Sequence, residues 1–229
     1  WKRPQFFYIN LQAAHFPYSH PQMPALINQT PIDRSEISEA NIEQLQATYW
    51  NAIAVADQAV GEIIQRLKQL QVYDDTLVVI VGDHGESLFD DHFLGHGHAL
   101  NQAQTRIPLV FNLPGVALDR AVGQVDVAEL MVRAATDRLE LNAQQDRPDA
   151  QLQVVGSLNQ PQLIGTVSRR DMRTILDLRT RKLYFSELKR WEDYDMAVKD
   201  PALQGRVTEL IGLWERARWQ DHLSRTRQQ

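Results

Sequence analysis

From Ile42 to Leu70, apolar side chains recur at Ile42, Leu45, Tyr49, Ile53, Ala56, Val60, Ile63, Leu67 and Leu70. A repeat of three to four positions lines one face of a helix, so the spacing predicts one long amphipathic helix over about 41–70. Two short apolar runs flank it, Phe6-Phe-Tyr-Ile-Asn-Leu11 and Thr76-Leu-Val-Val-Ile-Val81, and each reads as a buried strand. Strand, loop, helix and strand in that order imply a parallel pair joined by a right-handed crossover, and hence a layered α/β sheet with flanking helices. A third run, Ile107-Pro-Leu-Val-Phe-Asn-Leu113, closed by Pro114-Gly115, and a helical spacing over Val125–Ala135 extend the pattern to about residue 140.

The character then changes. Gln144 to Gln151 is polar, and short β-prone segments follow at 153–155, 163–167, 173–178 and 182–185, separated by turn-forming or charged residues. These predict a small antiparallel sheet. Leu203, Val207, Leu210, Ile211, Trp214 and Trp219 then mark a terminal amphipathic helix over 203–223. The expected fold class is therefore α/β, with residues 1–142 forming the layered part and residues 143–229 a small α+β subdomain.

A net charge of −5 with both signs interspersed argues against a nucleic-acid partner, which would call for a clustered basic face. The arginines at 169, 170, 173, 179 and 181, and again at 216, 218, 225 and 227, read as solvated faces and helix ends. With no cysteine there is neither a disulfide nor a thiol nucleophile. No apolar run approaches the roughly 20 residues of a bilayer span, so the chain reads as soluble and globular. It opens on Trp1 rather than Met, from which the expectation is an excised or processed piece. An upstream part could then hold a targeting or membrane segment, favouring a periplasmic, extracytoplasmic or membrane-anchored protein.

The chemistry concentrates where the second run ends. Gly82-Asp83-His84-Gly85-Glu86-Ser87 sets a carboxylate beside an imidazole, and the carboxyl ends of strands are where α/β proteins bind ligands. Asp and His are oxygen and nitrogen donors for a divalent cation. Twelve residues past His84 lies His96, within Leu94-Gly95-His96-Gly97-His98, so four of the seven histidines (84, 92, 96 and 98) fall within fifteen positions. Together the strand end and this run point to a metal or anion site. His15 occupies a comparable address just past the first run, in a long proline-marked loop of the kind that forms lids or substrate walls. His20 and His92 read as surface residues.

At these residues the chain resembles the sulfatase family of the alkaline phosphatase superfamily. The similarity runs through several segments in order. They are Phe7-Tyr-Ile-Asn-Leu11 followed by His15-Phe-Pro-Tyr18, the helix from Tyr49 to Leu70, Val79-Ile-Val-Gly-Asp-His-Gly-Glu-Ser-Leu88, Gly95-His-Gly-His-Ala-Leu100, and Arg106-Ile-Pro-Leu-Val-Phe-Asn-Leu-Pro-Gly115. Val125-Asp-Val127 and, more loosely, Tyr184 to Pro201 continue it. The resemblance implies an alkaline-phosphatase-like layered sheet and a metal-dependent hydrolase of sulfate or phosphate esters. It makes Asp83 and His84 metal ligands, makes His96 a donor to the substrate's sulfate or phosphate oxygens, and sets His15 on the leaving-group side. His98 competes with His96 for its role. One divalent ion is implied. Calcium, manganese and zinc are all compatible, and the imidazole at 84 tilts the choice toward manganese or zinc.

The family pattern also calls for carboxylate ligands from an opening strand and a Cys, Ser or Thr nucleophile in a Cys/Ser-x-Pro-x-Arg type motif, and no such motif occurs here. The expectation is a C-terminal portion, inactive alone, whose partners are the missing N-terminal half of the same protein and a small-molecule, lipid or glycan ester. Two alternatives stay open. One is the catalytic domain of a membrane-anchored phosphoethanolamine or phosphoglycerol transferase. The other is a non-catalytic sulfatase-like binding domain.

Overall fold

The structure is a computed structural model that describes residues 3–113, 121–136, 149–168 and 170–226. Along the chain its principal elements are α1 (Ile42–Gln69), β1 (Val79–Val81), β2 (Ser87–Asp90), β3 (Phe93–Gly95), α2 (Gln102–Thr105), β4 (Leu109–Phe111) and α3 (Gln124–Ala135). There follow β5 (Ala150–Ser157), β6 (Gln160–Ser168), β7 (Arg173–Asp177), β8 (Lys182–Phe185), β9 (Arg190–Asp193), α4 (Tyr194–Ala197) and α5 (Gln204–Thr226). The chain divides into two compact units, one made of residues up to Thr76 with Glu86–Gly95, the other of Leu77–Gly85 with residues from His96 onward. The expected boundary between residues 142 and 143, the polar stretch at 144–148, Pro114-Gly115, Arg169 and Arg227 lie outside the described residues.

In the first unit α1 forms over the predicted span and serves as its scaffold. Leu45, Thr48, Asn51 and Ala52 are its buried residues, and Leu45 and Ala52 join Tyr18, Ile32 and Leu88 in one core cluster. The two buried polar side chains organise the proline loop, which has no strand of its own to pair its backbone. Asn51 Oδ1 accepts from the N–H groups of Leu26, Ile27 and Asn28 at 2.8, 3.0 and 3.3 Å, while its Nδ2 donates to Pro24 O. Thr48 Oγ1 accepts from Ile32 N–H at 2.9 Å. A tight hairpin, β2 and β3, turns through Asp91 and His92, both at positive φ (51° and 64°) as two-residue hairpin loops require.

The first expected strand does not form. Phe6–Leu11 has no strand partner among the described residues, and Phe6, Phe7 and Tyr8 are 75, 75 and 81 % exposed. β propensity supplies a conformation but no hydrogen-bonding neighbour, and an unpaired segment cannot bury its backbone. The parallel crossover pair is therefore absent too among the described residues. β1 is shorter than expected and only half-buried, and it pairs antiparallel with β4, Ile80 opposite Val110.

The C-terminal region of the second unit follows expectation closely. β5 to β9 form an antiparallel meander in sequence order, one strand longer than predicted, with Trp191 of the unpredicted β9 opposite Tyr184. Alternation sends Val154, Ile164, Leu176 and Leu183 to one face, in register across the sheet, where Leu203, just before α5, and Val207 and Leu210 of α5 cover them. The other face, with Val155, Leu163, Ile175 and Tyr184, packs on Leu100, two residues beyond His98. A Cβ on Gly165 would lie 2.9 Å from Leu100 Cδ1, so this glycine makes the room that Leu100 fills. No described helix is long and apolar enough to cross a membrane.

Candidate active site

Two short segments of the second unit carry Asp83, His84, His96 and His98 of the expected site residues. β1 ends at Val81 and the chain turns at once through Gly82, Asp83, His84 and Gly85. Gly82 N–H donates to Pro108 O at 3.2 Å, extending the β1–β4 pairing by one step. Gly85 N–H donates to Gln104 O at 2.9 Å. Gly85 is needed there because a Cβ at its position would sit 2.0 Å from the carbonyl oxygen of Ala103. The Gln124 side chain, at the first turn of α3, donates to Asp83 O.

The turn presents its two polar side chains differently. Asp83 is largely open to solvent, its side chain 85 % exposed, and Oδ1 accepts from His84 N–H at 3.0 Å. His84 is 38 % exposed, with Nδ1 2.9 Å from Gly85 O and Nε2 3.7 Å from Asp83 Oδ2. With Nδ1–H donating to that carbonyl, Nε2 carries the ring's lone pair. Two ligand atoms on one tetrahedral ion stand about 3.4 Å apart. A small rotation of the Asp83 carboxylate thus brings an oxygen and a nitrogen to that separation, so the pair fits two ligand positions of a divalent cation.

His96 enters from the second segment. Its ring lies on that of His84, centroids 3.6 Å apart and planes 27° from parallel. His96 is half-buried, whereas His98 is exposed. Of these two histidines the structure brings His96 against the turn, and His98 contributes its backbone, N–H to Gln104 Oε1 at 3.3 Å. Both His92 and His20 are exposed, His92 beside Glu39 at 3.1 Å and His20 accepting from Gln22 N–H.

His15 belongs to the other unit, where it is exposed with Nδ1 2.9 Å from Phe16 O. Nearby, burial and then the Glu86 carboxylate push the Tyr18 hydroxyl far above the usual tyrosine range, and the same two causes raise Tyr49. The Tyr18 ring packs edge-on against Phe16 and Tyr49 at 5.5 and 5.2 Å.

Sequence reasoning missed Gln104, Gln124 and Glu86, and it misread Arg173. That arginine is buried rather than solvated. Its Nη1 donates to Leu100 O at 3.2 Å and Thr105 Oγ1 at 2.7 Å, and its Nε donates to Asp171 at 3.0 Å. The apolar run Thr174–Leu176 directly after Arg173 was the available sign that it opens a buried strand.

Comparison with known proteins agrees with the residue pattern. The sulfatase family model matches residues 2–135. The chain is 37 % identical over 90 residues to the multifunctional alkaline phosphatase superfamily protein PehA of Trinickia caryophylli, covering 39 % of this chain and 17 % of that protein. It is 30 % identical over 82 residues to the choline-sulfatase of Rhizobium meliloti (strain 1021), covering 36 and 16 %. A protein solved in complex with its substrate D-glucosamine-2-N,6-O-disulfate superposes with a TM-score of 0.57 at 15 % identity, over 81 % of this chain and 44 % of that one. These matches span under a fifth of the curated relatives' length and less than half of the solved structure. The fold is thus of the α/β, alkaline-phosphatase-like kind, with a small antiparallel sheet toward the C-terminus. With the family model covering more than half of its length, the chain belongs to the sulfatase family.

Proposed function

We propose that this chain carries part of the active site of a metal-dependent hydrolase of sulfate esters, with Asp83 and His84 as two of the ligands to one divalent ion and His96 facing the substrate's oxygens. The observation that carries the reading is the stacking of His96 on His84, in a turn that also holds the Asp83 carboxylate 3.7 Å from His84 Nε2. When bound, a divalent ion would polarise the ester oxygens and lower the pKa of the attacking group. The chain's own residues do the rest of what is assigned here. The Gly85 carbonyl fixes which nitrogen of His84 is free, and Gln124 and Gln104 hold the turn by its backbone. The His96 imidazole donates to charge developing on the nonbridging oxygens. The nucleophile and the opposing carboxylates come from polypeptide outside these 229 residues. The likeness to a choline-sulfatase supports a sulfate ester, and manganese or zinc suits the imidazole ligand.

The test is hydrolysis of 4-nitrophenyl sulfate, 4-nitrophenyl phosphate and a phenyl phosphonate ester by the longest natural polypeptide containing these residues. Sulfate-ester turnover that falls by about 10²-fold or more in both His84→Ala and His96→Ala supports the assignment. Full activity in both variants refutes it. The 229-residue chain alone is expected to turn over none of the three, and robust hydrolysis by it would refute the claim that the nucleophile lies elsewhere.

A further inference from the structure

Gln104 is 4 % exposed, and two of its polar groups, its carbonyl and its side-chain Oε1, are spent on the two segments that carry the site. Its carbonyl accepts from Gly85 N–H at 2.9 Å, next to His84. Its side-chain Oε1 accepts from His98 N–H at 3.3 Å and Ala99 N–H at 3.2 Å, just past His96. Its own N–H donates to Asn101 Oδ1 at 3.0 Å, which caps the single turn of α2. That turn is in turn fastened to the C-terminal sheet, because the buried Arg173 of β7 donates to both Leu100 O and Thr105 Oγ1.

His96 follows directly on Gly95, the last residue of β3. Gly95 and Gly97 flank the histidine at φ of 94° and 80°, where glycine pays no steric cost and exerts no preference. The two backbone N–H groups that follow His96 closely are bonded to a side chain rather than to a strand or helix ladder. One residue therefore ties down both backbones on which the stacked imidazoles stand. A side chain holding only one segment would keep the fold but leave the other ring to drift, and two rings at 3.6 Å do not tolerate much drift.

We infer that Gln104 is a positioning residue: its carbonyl and its carboxamide oxygen set the Asp83–His84 turn and the His96 loop in one frame, so that His84 and His96 meet face to face. This rests on the reading of His84 and His96 as site residues. Gln104 touches neither substrate nor ion and acts only through the two segments it joins.

The experiment is a ¹H–¹³C correlation spectrum of the histidine rings of the full chain, recorded without metal or substrate and assigned with His84→Gln and His96→Gln. Stacked rings shift each other's protons upfield, so the wild type is expected to show both imidazoles displaced upfield. Gln104→Leu is expected to abolish that displacement. Gln104→Glu, which keeps an acceptor oxygen at the same reach, is expected to restore it. Thr105→Val, which removes the half-buried hydroxyl that accepts from Arg173 in the same turn without touching Gly85, His98 or Ala99, is expected to lower the melting temperature and leave the displacement in place. Should Gln104→Leu fail to fold, Gln104→Ala carries the same comparison. An unchanged displacement in the folded Gln104→Leu or Gln104→Ala variant overturns the inference, as does its equal loss in Thr105→Val or its absence from the wild type. Because no turnover is measured, the outcome stands apart from whether the protein hydrolyses any ester.

Discussion

Replacing Gly85 with alanine and replacing Gly61 with alanine add the same methyl group, and the structure predicts opposite consequences. At Gly85 the new Cβ would stand 2.0 Å from Ala103 O, with Ala103 C at 3.0 Å and Gln104 C at 3.2 Å, all main-chain atoms. Carbon and oxygen need well over 3 Å at contact, roughly the bottom of the 3.3–3.6 Å range of even favourable C–H···O approaches. The backbone must therefore part by about 1 Å or more, which breaks the 2.9 Å bond from Gly85 N–H to Gln104 O. Overpacking of this kind costs about 1–3 kcal/mol and the lost hydrogen bond about 0.5–1.5 kcal/mol, so Gly85→Ala is expected to destabilise by about 2–4 kcal/mol. Gly61 lies on an exposed turn of α1, and its Cβ would meet nothing within 4 Å. There alanine gains about 0.5–1 kcal/mol of helix propensity. Urea denaturation of the three proteins, with slopes compared to confirm that the unfolded states match, reads the difference directly. A Gly85→Ala variant within about 0.5 kcal/mol of wild type would refute the close approach of the Asp83–His84 turn to Ala103, and with it the geometry from which the site is built.

Three further outcomes follow from other parts of the fold. Asn51→Leu leaves the N–H groups of Leu26, Ile27 and Asn28 without their shared acceptor and is expected to cost about 2–4 kcal/mol in urea denaturation, with the loss appearing as faster proteolysis within 21–32. Tyr18 and Tyr49 are raised in the folded state, chiefly by burial, so their contribution is complete below the unfolded tyrosine pKa of about 10 and is lost as pH climbs above it. Urea midpoints are therefore expected to fall between about pH 10 and about pH 12, and less steeply in Tyr18→Phe. Gly165→Ala meets the movable end of Leu100 at 2.9 Å and is expected to cost about 1–2 kcal/mol, less than Gly85→Ala, because a side chain can yield where a backbone cannot.

What could be read from the sequence was periodic or locally dense. The stripe from Ile42 to Leu70 specified α1 to within a residue at each end, since a helix of that length carries its own evidence. Alternation through 153–185 foretold four strands of the C-terminal meander, while Arg190–Asp193 escaped because only Trp191 is apolar. The clustering of glycine and histidine at 82–98 marked the place where His84 and His96 meet. Phe6–Leu11 shows the limit of such reasoning. Its composition is right for a strand, but pairing depends on a neighbour that composition does not describe. The bonds that Gln104, Gln124 and Arg173 make escape the sequence for a related reason. Each acts on residues distant in sequence, from Gln124 reaching back to Asp83 to Arg173 reaching back to Leu100, and no spacing rule records such a bond.

The central claim, that the Asp83–His84 turn is a divalent-cation site, is tested most directly by titrating the chain with Zn²⁺ or Mn²⁺ in a calorimeter beside its Asp83→Ala and His84→Ala variants. The account predicts weak, saturable 1:1 binding by the wild type, weakened further by about tenfold or more in each variant. Binding of equal strength in all three proteins, or none in the wild type, would contradict it.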